Sequence, residues 1–276
     1  MRIVPRYEGP TILTIAGGGD VSEPLVRQRR RLEAIFASLA DDGWRAPTRC
    51  ENWRVQDVAT HLDGVNGFFH SSIAAGLAGT PTRVLEGFDP KASPAAMVDA
   101  VSAKAPADTL TELVESNDAL CELVASLDDQ QWSTIAEGPP GLVPIRLLVH
   151  HALWDSWVHE RDVGLPLGLA VAEEPDEVLA CLRYVAGFGS AVALTLGKAR
   201  PALMVLETTD PDGCVAVEVT DRVVVHDQPL PDATVVLRDS AVSFVEALSV
   251  RGPLTGAVPA DHRWLVDTLA VVFETA

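Results

Sequence analysis

The stretch PIRLLVHHALWDSWVHERDVG, residues 144–164, decides how the chain folds. Its pattern predicts one helix that begins at Pro144, a residue suited to the first helical position, and ends at Gly164. On that helix Asp155 and His159 are four residues apart and share one face. A carboxylate and an imidazole at this spacing can bind one metal ion, although such a pair is also common as an ordinary helical contact.

Two further polar residues, His151 and Asp162, fall on the same helical face, one turn before and one turn after the pair. Either could hydrogen-bond a ligand from behind, and His151 could itself be a ligand. A third ligand should come from another element, and His61 is the candidate because it borders an apolar stripe at helical spacing within residues 53–69. A histidine in that position is often only a hydrogen-bonded core residue. The two motifs together predict a site between two packed helices.

The segments TRCENWRVQDVATHL (residues 48–62) and LWDSWVHERDV (residues 153–163) together resemble the DinB-like superfamily. Within it they resemble the mycothiol-dependent maleylpyruvate isomerase family of actinobacteria. This resemblance implies an N-terminal four-helix bundle that holds a divalent metal, usually zinc, with His61, Asp155 and His159 as the ligands. Many members carry Glu where this chain has Asp155. Two histidines and one carboxylate also suit iron, nickel or manganese.

The predicted fold class is mostly α, with a DinB-like four-helix bundle followed by a small α+β domain. Apolar residues at three- and four-residue steps predict the helices, and their count is the one a bundle needs. The predicted division is an N-terminal arm over 1–21, the bundle over 22–170, a bridging helix over 171–200 and the α+β domain over 201–276. The predicted helices cover residues 22–40, 53 to about 78, 95–103, 106–126, 144–164 and 173–197, with two more near the C-terminus.

After Pro201 the apolar pattern changes to period two, which predicts four short strands, and Asp212-Gly213 indicates a hairpin between the first two. This C-terminal arrangement also resembles the second domain of the isomerase family, in which an arginine of an arginine-glycine step reaches towards the active site. The segment ALSVRGPL places Arg251 there. A guanidinium suits a carboxylate or enolate substrate. Alternatively, Arg251 is a helix C-terminal arginine that interacts with the macrodipole.

Composition narrows the classes of partner. The net charge of −18 argues against nucleic acid, because phosphates attract basic surfaces. The basic segment RQRRR, residues 27–31, is interpreted as a solvated helix face rather than a phosphate site. No apolar run is long enough for a transmembrane helix, and the N-terminus is a poor signal peptide, so a cytoplasmic location is expected. The four cysteines lack paired spacing, and Cys50 is either a buried structural residue or a reactive thiol.

Three functions are compatible with these residues. The first is metal-dependent thiol chemistry on a small electrophilic substrate, and the resemblance implies mycothiol as the thiol, with isomerisation or thiol transfer as the reaction. In that hypothesis Asp162 and Arg251 support catalysis. The second is hydrolysis of a small ester or amide by a metal-bound water, since the chain has no Gly-x-Ser-x-Gly motif. The third is a non-catalytic binding protein whose metal is structural. The sequence does not indicate an oligomeric state.

Overall fold

The computed structural model describes residues 5–17, 19–90, 92–101 and 103–274. These residues form nine α-helices: α1 (Ser22–Ala37), α2 (Asp41–Trp44), α3 (Val55–Leu77), α4 (Ala92–Asp99), α5 (Pro106–Ala125), α6 (Ile145–Gly164), α7 (Pro175–Thr195), α8 (Ala241–Leu248) and α9 (Trp264–Glu274). They also form seven strands: β1 (Leu13–Ala16), β2 (Ile135–Gly138), β3 (Gly141–Pro144), β4 (Ala202–Thr209), β5 (Asp212–Val219), β6 (Val223–His226) and β7 (Val235–Asp239). The prediction of a mostly helical protein with a small sheet is confirmed.

Four helices pack around one another as a bundle, in which α1 and α3 each contact both α5 and α6. The apolar stripe of α3 is buried as its spacing predicts, with Val58, Leu62 and Phe69 inside the bundle. Helix α6 is buried almost all round, because α7 covers the face that the bundle leaves free. It starts one residue later than predicted, since β3 extends to Pro144. Helix α6 is therefore the central element, with a polar row inside an apolar core.

The C-terminal strands form one five-stranded sheet in the order β1-β6-β5-β4-β7. Strands β4, β5 and β6 are antiparallel, while β1 and β7 run parallel to their neighbours β6 and β4. The predicted hairpin is confirmed, although Asp210 and Pro211 connect its strands and Asp212 pairs with Thr209. Strand β1 comes from the predicted N-terminal arm, of which residues 1–4 and 18 lie outside the described part. The arm thus contributes an edge strand to the sheet.

Helix α7 lies between the helical bundle and the sheet. It packs against α6 on one side and against β1, β5 and β6 on the other. A single apolar core therefore runs from bundle residues such as Leu148 to sheet residues such as Val217. By length and composition α7 could cross a membrane, with a mean hydropathy of 1.6, but 78% of that window is buried inside the protein. Burial of this kind is typical of a core helix. The division at residues 22, 171 and 201 stays a prediction.

Three local features differ from the sequence-based expectations. The predicted loop before α6 contains the hairpin β2–β3. The carboxylate of Glu137 in that hairpin accepts hydrogen bonds from Tyr7 Oη, Thr82 Oγ1 and the backbone of residues 84 and 85. The short helix α4 begins three residues earlier than the predicted start at 95. Finally, the segment 27–31 is not simply a solvated face, because Arg29 is fully buried.

Candidate metal centre

The three predicted ligands come together between α3 and α6. The Nε2 atom of His61 lies 3.6 Å from Oδ2 of Asp155, and Nε2 of His159 lies 3.7 Å from Oδ1 of the same carboxylate. The two imidazole rings meet edge to face with their centroids 5.0 Å apart. All three donor atoms lie within 4.8 Å of one another. The i, i+4 spacing on α6 and the burial of the α3 stripe bring them to this point.

These three side chains have the ligand types of a cation site, and one of their oxygen atoms lacks a hydrogen-bond partner. Two imidazole nitrogens and one carboxylate oxygen are common ligands of zinc and other divalent metals. The Oδ2 atom of Asp155 is buried and has no hydrogen-bond partner, since 3.6 Å to His61 is too long for one. Buried polar atoms are normally paired, and an ion between the three donors would pair this one. The residues present therefore fit a divalent metal.

The charge state of Asp155 also suits metal binding. Burial opposes ionisation of Asp155, but the neighbouring imidazoles of His61 and His159 outweigh it and hold the pKa of that carboxyl well below its usual range. Asp155 is therefore ionised at any neutral pH. The side chains of His61, Asp155 and His159 are 12%, 15% and 10% exposed, so none of the three is fully shut off from solvent. Trp53 borders it, with its ring 5.1 Å from His61 and 6.3 Å from His159.

Behind His159 lies a second carboxylate, Asp162, which is fully buried. Its Oδ2 atom is 3.1 Å from His159 Nδ1, so it holds a ring proton on Nδ1 and leaves Nε2, on the side of Asp155, as the atom that can bind a metal. Two guanidiniums bind this carboxylate: Arg251 donates through Nε at 2.8 Å and Nη2 at 3.0 Å, and Arg49 through Nε at 3.0 Å. Burial opposes ionisation of Asp162, but the bonds from His159 and Arg251 lower its pKa far below the ordinary value.

The same surroundings favour a proton on His159 when no ion is bound. Burial disfavours the charged ring, yet the adjacent Cys50, Asp162 and Asp155 outweigh burial and raise the pKa of His159 well above its ordinary value. A divalent metal at Nε2 must therefore displace a proton from that atom.

A second group of potential ligands, Cys50, His159 and Asp162, also lies within 4.8 Å. The thiol of Cys50 donates to Asp162 Oδ2 at 3.1 Å and lies 3.6 Å from Arg251 Nη2. Because Arg49 and Arg251 already supply positive charge to this carboxylate, a cation here would be repelled. We therefore interpret this group as a hydrogen-bonded network that supports His159, and the first group as the metal centre.

The remaining candidate, His151, is directed elsewhere. Its Nδ1 atom is 2.5 Å from the hydroxyl of Tyr184 on α7, and its ring packs against Phe69, Trp154 and Phe188. Burial lowers the pKa of His151 to about 4, so it is neutral at physiological pH. It does not belong to either group of converging ligand atoms among the described residues.

Sequence reasoning missed part of the supporting network. Arg49 contacts both Asp162 and Glu246 of α8, and Glu246 in turn accepts from Arg161 Nε at 2.7 Å. These ion pairs join the C-terminal part to the bundle. Nothing in the sequence indicated the roles of Arg49 and Glu246, because their partners lie more than eighty residues away along the chain. Cys50 carried a weak one, its place just before the helix of His61.

Comparison with known proteins gives one family and two similar structures. Residues 25–164 match the sequence profile of a family described as the mycothiol maleylpyruvate isomerase N-terminal domain. The crystal structure of a mycothiol-dependent maleylpyruvate isomerase is similar with a TM-score of 0.58 and 17% sequence identity, over 86% of this chain and 95% of that chain. A mutant of that enzyme with one histidine replaced by alanine gives 0.58 and 16% over the same shares. At such identity the likeness shows a shared fold. Curated protein sequences give no match.

Proposed function

Because the chain belongs to the mycothiol maleylpyruvate isomerase N-terminal domain family, we propose that it is a metal-dependent enzyme of thiol chemistry. Its bundle would be of the DinB-like type, with His61, Asp155 and His159 as ligands of one divalent ion, zinc before others. The observation that carries the proposal is the meeting of these three donors around the unpartnered, buried oxygen of Asp155.

The ion, when bound, would offer an open coordination position that takes up a thiol and favours its deprotonated form. The side chains have separate tasks around it. His61 and Asp155 bring one ligand from each of two helices, so the centre depends on the packing of α3 against α6. Asp162 keeps the proton of His159 on Nδ1, which orients the ring towards the centre. Trp53 shields the two imidazoles from bulk water on one side.

Arg251 is the residue proposed to meet an anionic substrate. Its guanidinium is a bidentate donor to Asp162, and Nη2 also faces Cys50. Burial opposes its charge, but Asp162 outweighs burial and raises the pKa of Arg251, so it stays charged. A substrate carboxylate would use the N–H groups that Asp162 leaves free, or would displace Asp162. Either arrangement suits the enolate or carboxylate that an addition–elimination on an unsaturated acid presents.

We propose mycothiol as the thiol and an unsaturated keto acid such as maleylpyruvate as the first substrate to test. The reaction is isomerisation by addition and elimination of the thiol, or transfer of the thiol to an electrophile. The partners are small molecules, and the strongly negative net charge disfavours nucleic acid. A low-molecular-weight thiol as co-substrate accords with a cytoplasmic location.

The first experiment measures metal content by mass spectrometry after purification without chelator. His61→Ala should lose the ion, while His70→Ala, a control on the same helix outside the site, should keep it. Full stoichiometric metal in His61→Ala would refute the ligand assignment.

The second experiment measures isomerisation of maleylpyruvate with and without mycothiol. Turnover should require the thiol, and Arg251→Gln should reduce it. Hydrolysis of a small ester that continues after all small thiols are removed would instead favour a hydrolase, and would refute the thiol chemistry.

A further inference from the structure

Among the described residues, Arg29 carries an unusual buried charge, on the bundle-facing side of α1. Its side chain is fully buried, and its only hydrogen bond among the described residues runs from Nη2 to the carbonyl of Ala152 at 3.3 Å. Its Nε and Nη1 atoms are buried without any partner. A buried guanidinium without an acid is costly, and removing it from water is normally repaid by a close ion pair. Local packing and hydrogen bonding therefore do not explain why a charged side chain stands at this position.

The neighbourhood of Arg29 leads to the metal centre. Ala152 precedes the ligand Asp155 by three residues on α6, so the guanidinium lies against the helix that carries the centre. Burial lowers the pKa of Arg29 to about 10. Of the nearby acids, Asp155 does most to raise that pKa and so to favour the charged form. Glu33, the other carboxylate near it, is already bound to Arg30 at 3.0 Å. The positive charge of Arg29 therefore lies against α6, one turn before the ligand Asp155, without a salt bridge of its own.

The uncompensated charge of Arg29 changes the net charge around the metal centre. Arg49 and Arg251 are balanced by Asp162 and Glu246, which they contact directly. Asp155 is the one carboxylate in the ligand set, and it offsets half the charge of a divalent ion. Arg29 adds one positive charge next to α6, and no carboxylate in contact with it offsets that charge. The centre as a whole would then carry excess positive charge in a poorly solvated place, where unit charges act strongly.

We propose that Arg29 is a positioning residue of the metal centre, acting through Asp155, and that its buried charge makes the centre favour anionic ligands such as thiolates and carboxylates over neutral ones. This inference rests on the proposed function. The charge of Arg29 repels a metal cation and attracts an anion, so it acts on metal binding and on thiolate binding in opposite directions. Removing its charge should therefore strengthen or preserve metal binding and weaken thiol binding. A merely structural role would weaken both.

The test uses the full chain with Arg29→Met, Arg29→Gln and Arg29→Lys, and with Arg30→Met as a control on the exposed side of the same helix. Zn²⁺ affinity is measured by competition with a chromophoric chelator. The affinity of Co²⁺-loaded protein for 2-mercaptoethanol is measured from its visible absorption. Arg29→Met should bind the thiol about tenfold more weakly, the size typical of one unit charge acting across a helix-to-helix spacing. Arg29→Lys and Arg30→Met should behave as wild type.

Weakened binding of both metal and thiol in Arg29→Met, or unchanged binding of the thiol, would overturn the inference. If Arg29→Met does not fold, Arg29→Gln decides, because it keeps a donor for Ala152 and removes only the charge. The proposed function fails separately: wild-type protein would then take up no Co²⁺, or its Co²⁺ form would not respond to the thiol.

Discussion

Replacing Asp162 by Asn tests the network that supports the metal centre. The Asp162 side chain is 0% exposed, and its partners Arg49 and Arg251 are 22% and 25% exposed. The carboxylate is therefore buried, while the two guanidiniums keep some contact with solvent. Breaking a buried ion pair from one side costs about 3 to 5 kcal/mol. Asn keeps one acceptor and the partial exposure screens the arginines, so we expect about 3 kcal/mol. At about 2 to 4 °C per kcal/mol for a chain of this size, Tm should fall by roughly 6 to 12 °C.

The assay is urea and thermal unfolding at pH 7.5 with metal-free protein, so that ion binding does not contribute. Asp118→Asn is the matched control, because Asp118 pairs with Arg30 while 46% exposed, and such surface pairs contribute about 0 to 1 kcal/mol. In a separate titration Asp162→Asn should weaken zinc binding by about 10- to 100-fold, since a neutral amide holds the proton on His159 Nδ1 less strongly than a carboxylate does. Equal stability of Asp162→Asn and Asp118→Asn would refute the reasoning.

Three further outcomes follow from the same contacts. A chelator should lower Tm at about pH 7.5 and have much less effect near pH 5, because at pH 5 protons already displace the ion from the imidazoles. If a chelator leaves Tm unchanged at both pH values, in protein that contained metal, the ion does not bridge α3 and α6. In metal-free protein the folded pKa of His159 is raised above its unfolded value of about 6.5, so its contribution is complete below that pH and is lost as pH rises towards the folded pKa. Urea unfolding of His159→Gln should lack that decline. Glu137→Ala should lower the free energy of unfolding by at least about 2 kcal/mol, because four hydrogen bonds lose their acceptor. Zinc affinity should stay unchanged. Glu218→Ala, on the sheet surface, is the control.

The helical part of the fold was readable from sequence because its signals are local. Apolar spacing gave α1, α3, α5 and α6 to within a few residues, and period two gave β4 to β7. The hairpin β2–β3 was missed, since its strands are four residues long and Glu137 in it is stabilised by donors more than fifty residues away. The partner of β1 was equally hidden, because a parallel pair has no turn to mark it.

The candidate site divides in the same way. His61, Asp155 and His159 are visible because two helical motifs present them at regular spacing. The buried position of Arg29 was not visible: its neighbours Arg27, Arg30 and Arg31 are partly exposed and ion-paired, and a run of basic residues gives no sign of which member points inward. Helical phase alone would have placed it opposite the exposed residues, but the prediction of a solvated face treated the whole segment alike.

The difference between the two aspartates of α6 is the clearest case of a property that the helix does not determine. Asp155 and Asp162 flank His159 by four and three residues and both contact its ring. Asp162 is saturated by donors, and two of these come from the guanidinium of Arg251, 89 residues further along the chain. Asp155 receives only imidazoles and keeps a buried oxygen without a partner. Which aspartate remains free for a metal is therefore decided by donors outside α6, from Arg49, Cys50 and Arg251. A change at Arg251 should thus alter the ligand environment of an ion that Arg251 does not touch.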